Sequence, residues 1–394
     1  MITGVGVIGA NGIGREAFGK VVFEGMSGIK PVSLFDAGEF KAKTAGEIAD
    51  FKPQEFLGDK GLRILDRSTK LVASATRLAI DDACVKIDND NSRDFGVSIG
   101  STFGSIASIS DFDREALTDG ARYVNPALFP NTVINSPASQ VSIRFGIRGF
   151  NATISTGFCA SLDAIGYAVD QIRLGRARVV FAGGVEELCF QTFLGFHKSG
   201  CLAGLKGPEI CAPFDKRRNG VVLGEGSCVL VLEELESAVS RKANIYAEIS
   251  GFGASFGPGN LSKAILSALK DSRLGPGEVD FVSSCANSTK DLDLAETNAI
   301  KEVFGGEAKG LSISAVKSML GECYSASAGF QVAAAVESIR RQAAFPTVNY
   351  QQKDEFCDLN YVVNKAKSCK INKALINASA KSGHNSSLII SKYQ

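Results

Sequence analysis

The chain alternates short apolar runs with longer segments of helical spacing, and this alternation restricts what it can fold into. The runs VVFAGG (179–184) and SCVLVLEE (227–234) are typical of buried strands. Helical spacing is present in STKLVASATRLAIDDACVKI (68–87) and in SLDAIGYAVDQIRLG (161–175), where Gly175 is a predicted C-cap. A second cycle follows Ile245, with predicted helices at 262–271, 294–304 and 328–340 and strands at 279–284 and 311–314. The pattern predicts an α/β fold.

Composition limits the class of protein. The 394 residues, of which 45% are hydrophobic, are enough for a large core, and we predict two α/β halves, 1–250 and 251–394, joined without a low-complexity linker. The net charge of +1 and the absence of a long single-sign run argue against a nucleic-acid or membrane surface as the main partner. No apolar stretch reaches the roughly 18 residues of a membrane span, and no signal peptide is visible.

These features predict a cytoplasmic location. The ten cysteines are therefore expected to be reduced thiols, and the lack of any CxxC pair disfavours structural zinc. We expect neither a metal nor a cofactor.

Five segments resemble those of the β-ketoacyl synthase family, the thiolase-fold condensing enzymes, and together they span most of the chain. They are ITGVGVIGANGIGREAF (2–18), FPNTVINSPASQVSIRFGIRG (129–149), VVFAGGVEE (179–187), PFDKRRNGVVLGEGSCVLVLEELE (213–236) and DLDLAETNAIKEVFG (291–305). The resemblance implies a thiolase-like fold, in which two similar α/β halves form a layered α-β-α-β-α core.

The nucleophile elbow departs from the family pattern. In TISTGFCASLDAIG (153–166), the family's reactive cysteine would lie two residues after Thr156 and eight before Gly166, and both counts lead to Phe158. Cys159 follows one residue later, where its side chain points in another direction. The resemblance therefore implies an elbow without its nucleophile, with the bulk of Phe158 closing the acyl pocket.

The two catalytic histidines of the family are also replaced. The first would lie in SSCANSTKDLD (283–293), where Cys285 takes its place and Lys290 replaces a proline, and the second in KSMLGE (317–322), where Glu322 stands. An ionised carboxylate within about 4 Å would oppose a developing enolate by at least ~1 kcal/mol even in water. Cys285 and Glu322 are either drifted positions or partners in a hydrogen bond that holds the loops.

The C-terminal loop has lost the aromatic gate of the condensing members. In NASAKSGHNSSL (377–388), Ser379 stands at the gating phenylalanine and Lys381 at the second phenylalanine, and fewer glycines predict a stiffer loop. Four retained residues fall at positions that the family uses for structure around the site. They are Lys317, Asp293, Glu296 and Glu225.

The stretch GECYSASAGFQ (321–331) is similar to the chain length factors of type II polyketide systems. That resemblance implies a non-condensing subunit that forms a heterodimer with an active ketosynthase and shapes its product tunnel, with segment 105–140 at the interface. Acyl carrier protein is the second implied partner. Two basic clusters are candidate docking sites: Arg173, Arg176 and Arg178, or Lys216, Arg217 and Arg218.

Two other functions stay open from the sequence. In the first, Cys159 accepts an acyl group at a helix N-terminus, which lowers the pKa of a thiol, and Glu322 or Cys285 assists transfer or hydrolysis. In the second, a homodimer binds and sequesters acyl carrier protein without chemistry.

Overall fold

A computed structural model describes residues 1–394 and contains sixteen strands and twelve α-helices. The strands are β1 Ile2–Gly9, β2 Gly12–Ile13, β3 Lys30–Pro31, β4 Thr44–Gly46, β5 Phe95–Gly100, β6 Asn151–Ile154, β7 Val179–Glu186, β8 Leu223–Gly224, β9 Gly226–Glu233, β10 Glu248–Phe256, β11 Phe281–Ser283, β12 Ser312–Ser314, β13 Ala343–Ala344, β14 Lys367–Ser368, β15 Lys373–Ser379 and β16 His384–Ser391.

The helices are α1 Arg15–Phe23, α2 Gln54–Leu57, α3 Arg67–Ala83, α4 Ile106–Thr118, α5 Ser136–Phe145, α6 Ala160–Arg173, α7 Phe190–Lys198, α8 Leu235–Ser240, α9 Leu261–Ser272, α10 Lys290–Phe304, α11 Lys317–Leu320 and α12 Ser327–Arg341. Short 3-10 helices lie at Leu62–Ile64, Pro126–Thr132, Gly157–Cys159, Pro276–Glu278, Gly305–Lys309 and Tyr324–Ala326.

Two mixed sheets form the framework. The first has the order β2-β1-β9-β7-β5-β6, with β7, β5 and β6 parallel to one another and β9 antiparallel to both β1 and β7. The second has the order β10-β16-β15-β11-β12, with β15, β11 and β12 parallel. The central strands β7 and β9 are buried along their whole length, which explains their continuous apolar sequences.

A central helical layer separates the two sheets. Helices α6 and α12 belong to one core cluster that also includes side chains of β1, β9, β15 and β16. Helices α3 and α5 cover the outer face of the first sheet, and α9 and α10 cover that of the second. The layers therefore follow the order α-β-α-β-α, as the family resemblance implies.

Most predicted helices and strands are found within two residues of their expected bounds, but α10 begins at Lys290 and not at 294, and α3 differs at both ends. Helix α3 begins at Arg67, because Asp66 is the N-cap and accepts a hydrogen bond from the amide of Thr69. It ends at Ala83 and not near residue 87, because Cys84 adopts a left-handed conformation with φ 52°. The C-terminal end of α6 agrees with the sequence, since Gly175 has φ 66° just after the helix.

The chain passes from the first sheet to the second between β9 and β10, close to the predicted boundary of the two halves. We keep the division into 1–250 and 251–394 as a proposal. No helix is both long and apolar enough to cross a membrane. The cytoplasmic location stays a prediction from the sequence.

Candidate functional site

The sequence-predicted site residues meet where parallel strands of both sheets end. The elbow follows β6, and the loop that carries Cys285 follows β11. Helix α11, which leads to Glu322, follows β12, and Ser379 ends β15. Ligands of open α/β sheets bind outside the carboxyl ends of the strands, so this position is where a site is expected.

The elbow turns sharply between β6 and α6. Gly157 has φ 67°, a left-handed conformation that favours glycine, and Gly157–Cys159 form one 3-10 turn. Phe158 is half-buried at the tip, whereas Cys159 is fully buried and is the N-cap residue of α6. The structure therefore presents an aromatic ring at the elbow position to which the family resemblance assigns the reactive cysteine.

Four aromatic rings pack together at the tip of the elbow. The ring of Tyr324 lies at its centre, with centroid distances of 5.4 Å to Phe103, 5.9 Å to Phe158 and 5.3 Å to Phe196. Tyr324 is fully buried and has φ 47°, an unfavourable conformation for a bulky residue. This packing fixes the orientation of Phe158.

The surroundings of Cys159 disfavour the thiolate form that an activated nucleophile requires. Its Sγ donates to the carbonyl oxygen of His384 at 3.4 Å. Burial, together with the nearby Asp163 carboxylate, raises the pKa of the thiol far above its ordinary value. The alternative in which the helix N-terminus activates this thiol is therefore disfavoured, because burial and Asp163 both raise its pKa.

The imidazole of His384 does not replace a catalytic histidine at the elbow. Only its backbone oxygen contacts Cys159, while its ring packs edge-on against Phe256 at 5.0 Å. The other histidine, His197, packs against Phe40 on the far side of the aromatic cluster.

Glu322 belongs to a buried, fully satisfied polar network. Its carboxylate accepts hydrogen bonds from Lys317 Nζ at 2.9 Å, from Asn287 Nδ2 at 2.9 Å and from Ser327 Oγ at 2.6 Å. Burial lowers the pKa of Lys317, but Glu322, Cys285 and Glu296 together raise it by more, so the net shift is upward. The negative charge of Glu322, which would oppose an enolate, is therefore balanced by the ammonium group of Lys317 beside it.

Cys285 and Glu322 form no hydrogen bond with each other, so the expectation that such a bond holds the loops is wrong. Lys317 joins them instead, because its Nζ also donates to the backbone oxygen of Cys285 at 3.0 Å. Burial and the Glu296 carboxylate raise the pKa of the Cys285 thiol well above its ordinary value. Neither side chain offers the donor that an enolate oxygen requires.

The three retained carboxylates bind backbone amides of the surrounding loops. Asp293 accepts from the amides of Phe214 and Asn287, and Glu296 accepts from those of Cys285 and Ala286. Glu225 accepts from Arg67 Nε at 2.7 Å and from the amide of Ile48 at 2.8 Å. These contacts hold the loops in place whether or not a reaction occurs.

The degenerate gate lines an open pocket of about 330 Å³. Ser379 ends β15 and bonds Asn385, and Lys381 is exposed in the short turn that leads to β16. Phe158 forms one wall, so it does not fill the space completely. The space on the side of the C-terminal loop is therefore open, and the closure of an acyl pocket by Phe158 stays a prediction from the sequence.

Sequence reasoning did not assign roles to Ser327, Asn287 or Tyr324. All three lie in segments that the motif comparison had singled out, but their partners are distant in sequence. Asn287 reaches Glu322 across 35 positions, for instance. No three His, Cys, Asp or Glu side chains are arranged to hold a metal ion.

One of the two candidate docking clusters is not available at the surface. Arg218 is buried and pairs with Asp354, and Arg217 pairs with Asp215 at 2.9 Å. The cluster of Lys216, Arg217 and Arg218 therefore does not form a free basic patch. In the other cluster, the three arginines are exposed, although Arg173 and Arg178 each have a carboxylate neighbour.

The layered architecture and the elbow define a thiolase-like α/β protein. Residues 1–238 match the β-ketoacyl synthase N-terminal domain, and residues 246–351 match the C-terminal domain. The chain belongs to the β-ketoacyl synthase family.

Similar proteins include both synthases and chain length factors. The chain is 34% identical to 3-oxoacyl-[acyl-carrier-protein] synthase 2 of Coxiella burnetii, over 100% of this chain and 98% of that protein. Its structure is similar to the ishigamide ketosynthase/chain length factor, with a TM-score of 0.93 and 31% identity over 100% and 98% of the two chains. It is also similar to a type II polyketide synthase ketosynthase in complex with its acyl-carrier protein (TM-score 0.90, 29% identity, 100% and 98% coverage).

Removing the ammonium group of the buried pair tests its role. Lys317→Met leaves Glu322 as an unpaired buried charge, so we expect the free energy of unfolding to fall by about 3 to 5 kcal/mol in urea titrations. Adding Glu322→Gln removes that charge and should restore most of the loss. The exposed Lys206, which makes no ion pair, provides the control: Lys206→Met should stay within about 0.5 kcal/mol. A loss below about 1 kcal/mol for Lys317→Met would contradict the assignment.

Proposed function

We propose that the chain is a non-condensing ketosynthase-like subunit, a chain length factor. It pairs with an active β-ketoacyl synthase and shapes the tunnel for the growing chain in type II polyketide, polyene or fatty acid biosynthesis. The proposal rests on two features: a site without condensing groups, and an apolar surface that is not used by the chain's own core.

The observation that carries the proposal is the exposure of α4 and the segment after it. None of the thirteen residues of α4 is buried, although the helix contains Ile106, Ile109, Phe112 and Leu117. Large apolar side chains continue to Ile134, and the exposed fraction reaches 86% at Leu117 and 74% at Tyr123. Large apolar side chains that the chain's own core leaves partly or fully exposed are typical of a protein interface.

The open edge of the first sheet is a second reason to place a partner on this side of the chain. Strand β6 pairs only with β5, so its outer edge has unpaired backbone groups. The neighbouring α5 exposes Ile143, and Asn151 of β6 bonds the backbone of Ala138 in α5. Natural proteins cover such edges, and a partner subunit would cover this one.

The geometry of the site favours a partner role over altered chemistry. A buried thiol with a raised pKa is a poor nucleophile, which disfavours acyl transfer through Cys159. Glu322 is held by three hydrogen bonds and is not free to move a proton. The synthase names of the curated relatives do not transfer, because Phe158, Cys285 and Glu322 replace the reacting groups that condensation needs.

The expected partners are an active ketosynthase and acyl carrier protein. The apolar face of α4 would meet the ketosynthase, so that segment 105–140 lines the shared tunnel. Carrier protein would deliver chains to the competent subunit, with Arg173, Arg176 and Arg178 as the remaining exposed basic cluster. The alternative is a homodimer that only binds acyl carrier protein, and an association experiment distinguishes it from the heterodimer.

Co-expression with the ketosynthase encoded nearest to this chain tests the association. Native mass spectrometry should show a stable one-to-one complex, and Leu117→Asp should reduce it at least tenfold, because a carboxylate would be buried in an apolar interface. Leu266→Asp on α9, at a site that is 50% exposed, is the matched control and should have no effect. A homodimer that persists in the presence of the ketosynthase would overturn the proposal in favour of the sequestering homodimer.

Product length provides a second test. Phe112 and Phe129 pack edge to face at 6.2 Å on the proposed interface. Removing either ring by Phe112→Ala or Phe129→Ala opens space, and we expect longer products by mass spectrometry with a smaller change in total output. Phe356→Ala, at an exposed site in the C-terminal half, should leave the lengths unchanged. Unchanged lengths in both interface variants would count against a length-setting role.

Cys159 provides the test against catalysis. In the reconstituted pathway, Cys159→Ala should change product yield by less than about twofold, since the thiol packs in the core and does not react. Circular dichroism should show that the variant is folded. A hundredfold loss of product from a folded variant would favour the acyl-transfer function.

A further inference from the structure

Glu187 directly follows β7 and holds the first turns of two helices. Its carboxylate accepts a hydrogen bond from the amide of Ser68 in α3 at 3.3 Å and one from the amide of Ala107 in α4 at 3.2 Å. Each amide belongs to the second residue of its helix, where backbone donors have no partner within the helix. One buried side chain therefore serves as a cap for both α3 and α4.

Helix α4 has no cap from its own side chains. Its N-cap residue is Ser105, whose buried hydroxyl makes no hydrogen bond within the protein. Packing holds α4 less than it holds α3, because none of the residues of α4 is buried whereas most of α3 is. Glu186 accepts from the amides of Thr102 and Phe103, which fixes the loop before α4 but not its first turn. The hold on that turn therefore depends on Glu187.

Glu187 has weaker partners than the buried carboxylates near it. Its two hydrogen bonds come from backbone amides, and no hydroxyl, side-chain amide or cationic group donates to it. Glu186, by contrast, also accepts from Ser325 Oγ at 2.6 Å, and Glu322 is paired with Lys317. A buried charge with so few donors is costly. The ionised form of Glu187 is therefore poorly compensated.

Ionisable groups from the ends of α3, β7 and α7 surround Glu187. They are two carboxylates, a thiol and a guanidinium, from Asp66, Glu186, Cys189 and Arg67. The guanidinium offsets the carboxylates only in part, because it bonds both oxygens of Glu225. The first turn of α4 carries no ionisable side chain. Burial, together with the nearby Asp66 carboxylate, raises the pKa of Glu187 to about 7.

The direction of the pH effect follows from these surroundings. Release of the first turn of α4 exposes Glu187 to water, where the pKa of its carboxyl group returns toward the ordinary value of 4.5. The docked turn therefore favours the protonated form of Glu187, and the released turn favours the ionised form. Docking is strongest below about pH 4.5, and this contribution is lost as the pH rises through about 7.

We propose that Glu187 is a proton-sensitive hold on α4. While its carboxyl group carries a proton, the first turn of α4 is docked against β7 and α3. When that proton passes to the solvent, the turn is released more often and α4 becomes mobile from its N-terminal end. The device belongs to the isolated chain, so it can be tested without a partner. If α4 is the contact with a ketosynthase, the same step makes that contact sensitive to pH.

Hydrogen–deuterium exchange of the full chain, measured by mass spectrometry at about pH 5.5 and about pH 7.5, tests the proposal. After correction for the intrinsic exchange rate at each pH, peptides that cover 105–112 should lose protection about tenfold or more at the higher pH. Peptides from the first turns of α9, which covers the other sheet, should change by less than about twofold. Equal protection of the α4 peptides at both pH values would overturn the proposal.

Variants assign the effect to this carboxyl group. Glu187→Gln keeps the size of the side chain and one oxygen acceptor but does not titrate, so the protection of α4 should agree at the two pH values within about twofold. Glu236→Gln, at an exposed site on α8, is the matched control and should keep the difference of the unmodified chain. A pH difference that persists in Glu187→Gln would refute the proposal.

If Glu187→Gln fails to fold by circular dichroism, Asp66→Asn decides the question. It removes the charge beside Glu187 but keeps an oxygen that can cap α3. The pKa of Glu187 should fall, so a pH series should show the loss of α4 protection ending at a lower pH. Loss that ends at the same or a higher pH would contradict the proposal.

Discussion

The burial of α12 between the two sheets is the constraint on which the rest of the structure depends. Every residue from 327 to 339 is buried, and the small residues of the helix allow close approach to the sheets. A Cβ at Gly329 would lie 3.0 Å from the Cβ of Cys228 on β9. On the other side, Gln331 Nε2 donates to the backbone oxygens of Ser283, Ser284 and Asn377, which joins the helix to the second sheet. The loops around the site are held because their strands cannot move relative to this helix.

The site at the end of that helix is held by paired charges, hydrogen bonds and aromatic packing. Ser327, the first residue of α12, holds the carboxylate of Glu322, and Lys317 neutralises it. Aromatic packing holds Phe158, and burial keeps Cys159 protonated. A buried charge is tolerated only when it is paired and hydrogen-bonded, so the buried carboxylate of Glu322 depends on Lys317.

Helix α4 and the segment after it are the least buried part of the first half. Ile106, Ile109 and Phe112 are half-buried, Leu117 and Tyr123 are exposed, and charged side chains lie between them on the helix. The chain's own core does not cover these apolar side chains, and this is the reason that we propose them as the contact with a partner subunit.

The sequence by itself determined the α/β alternation, the approximate bounds of several strands and helices and the place of Phe158 in its motif, because these depend on local spacing and on a motif read along the chain. It also located Cys285, Glu322, Ser379 and Lys381 within their blocks. Only the tertiary structure decided the link from Cys285 through Lys317 to Glu322, the raised pKa of Cys159 and the burial of Arg218. Desolvation and ion pairing depend on distances between residues that lie far apart in the chain, and those distances are set by the packing of two sheets around one helical layer.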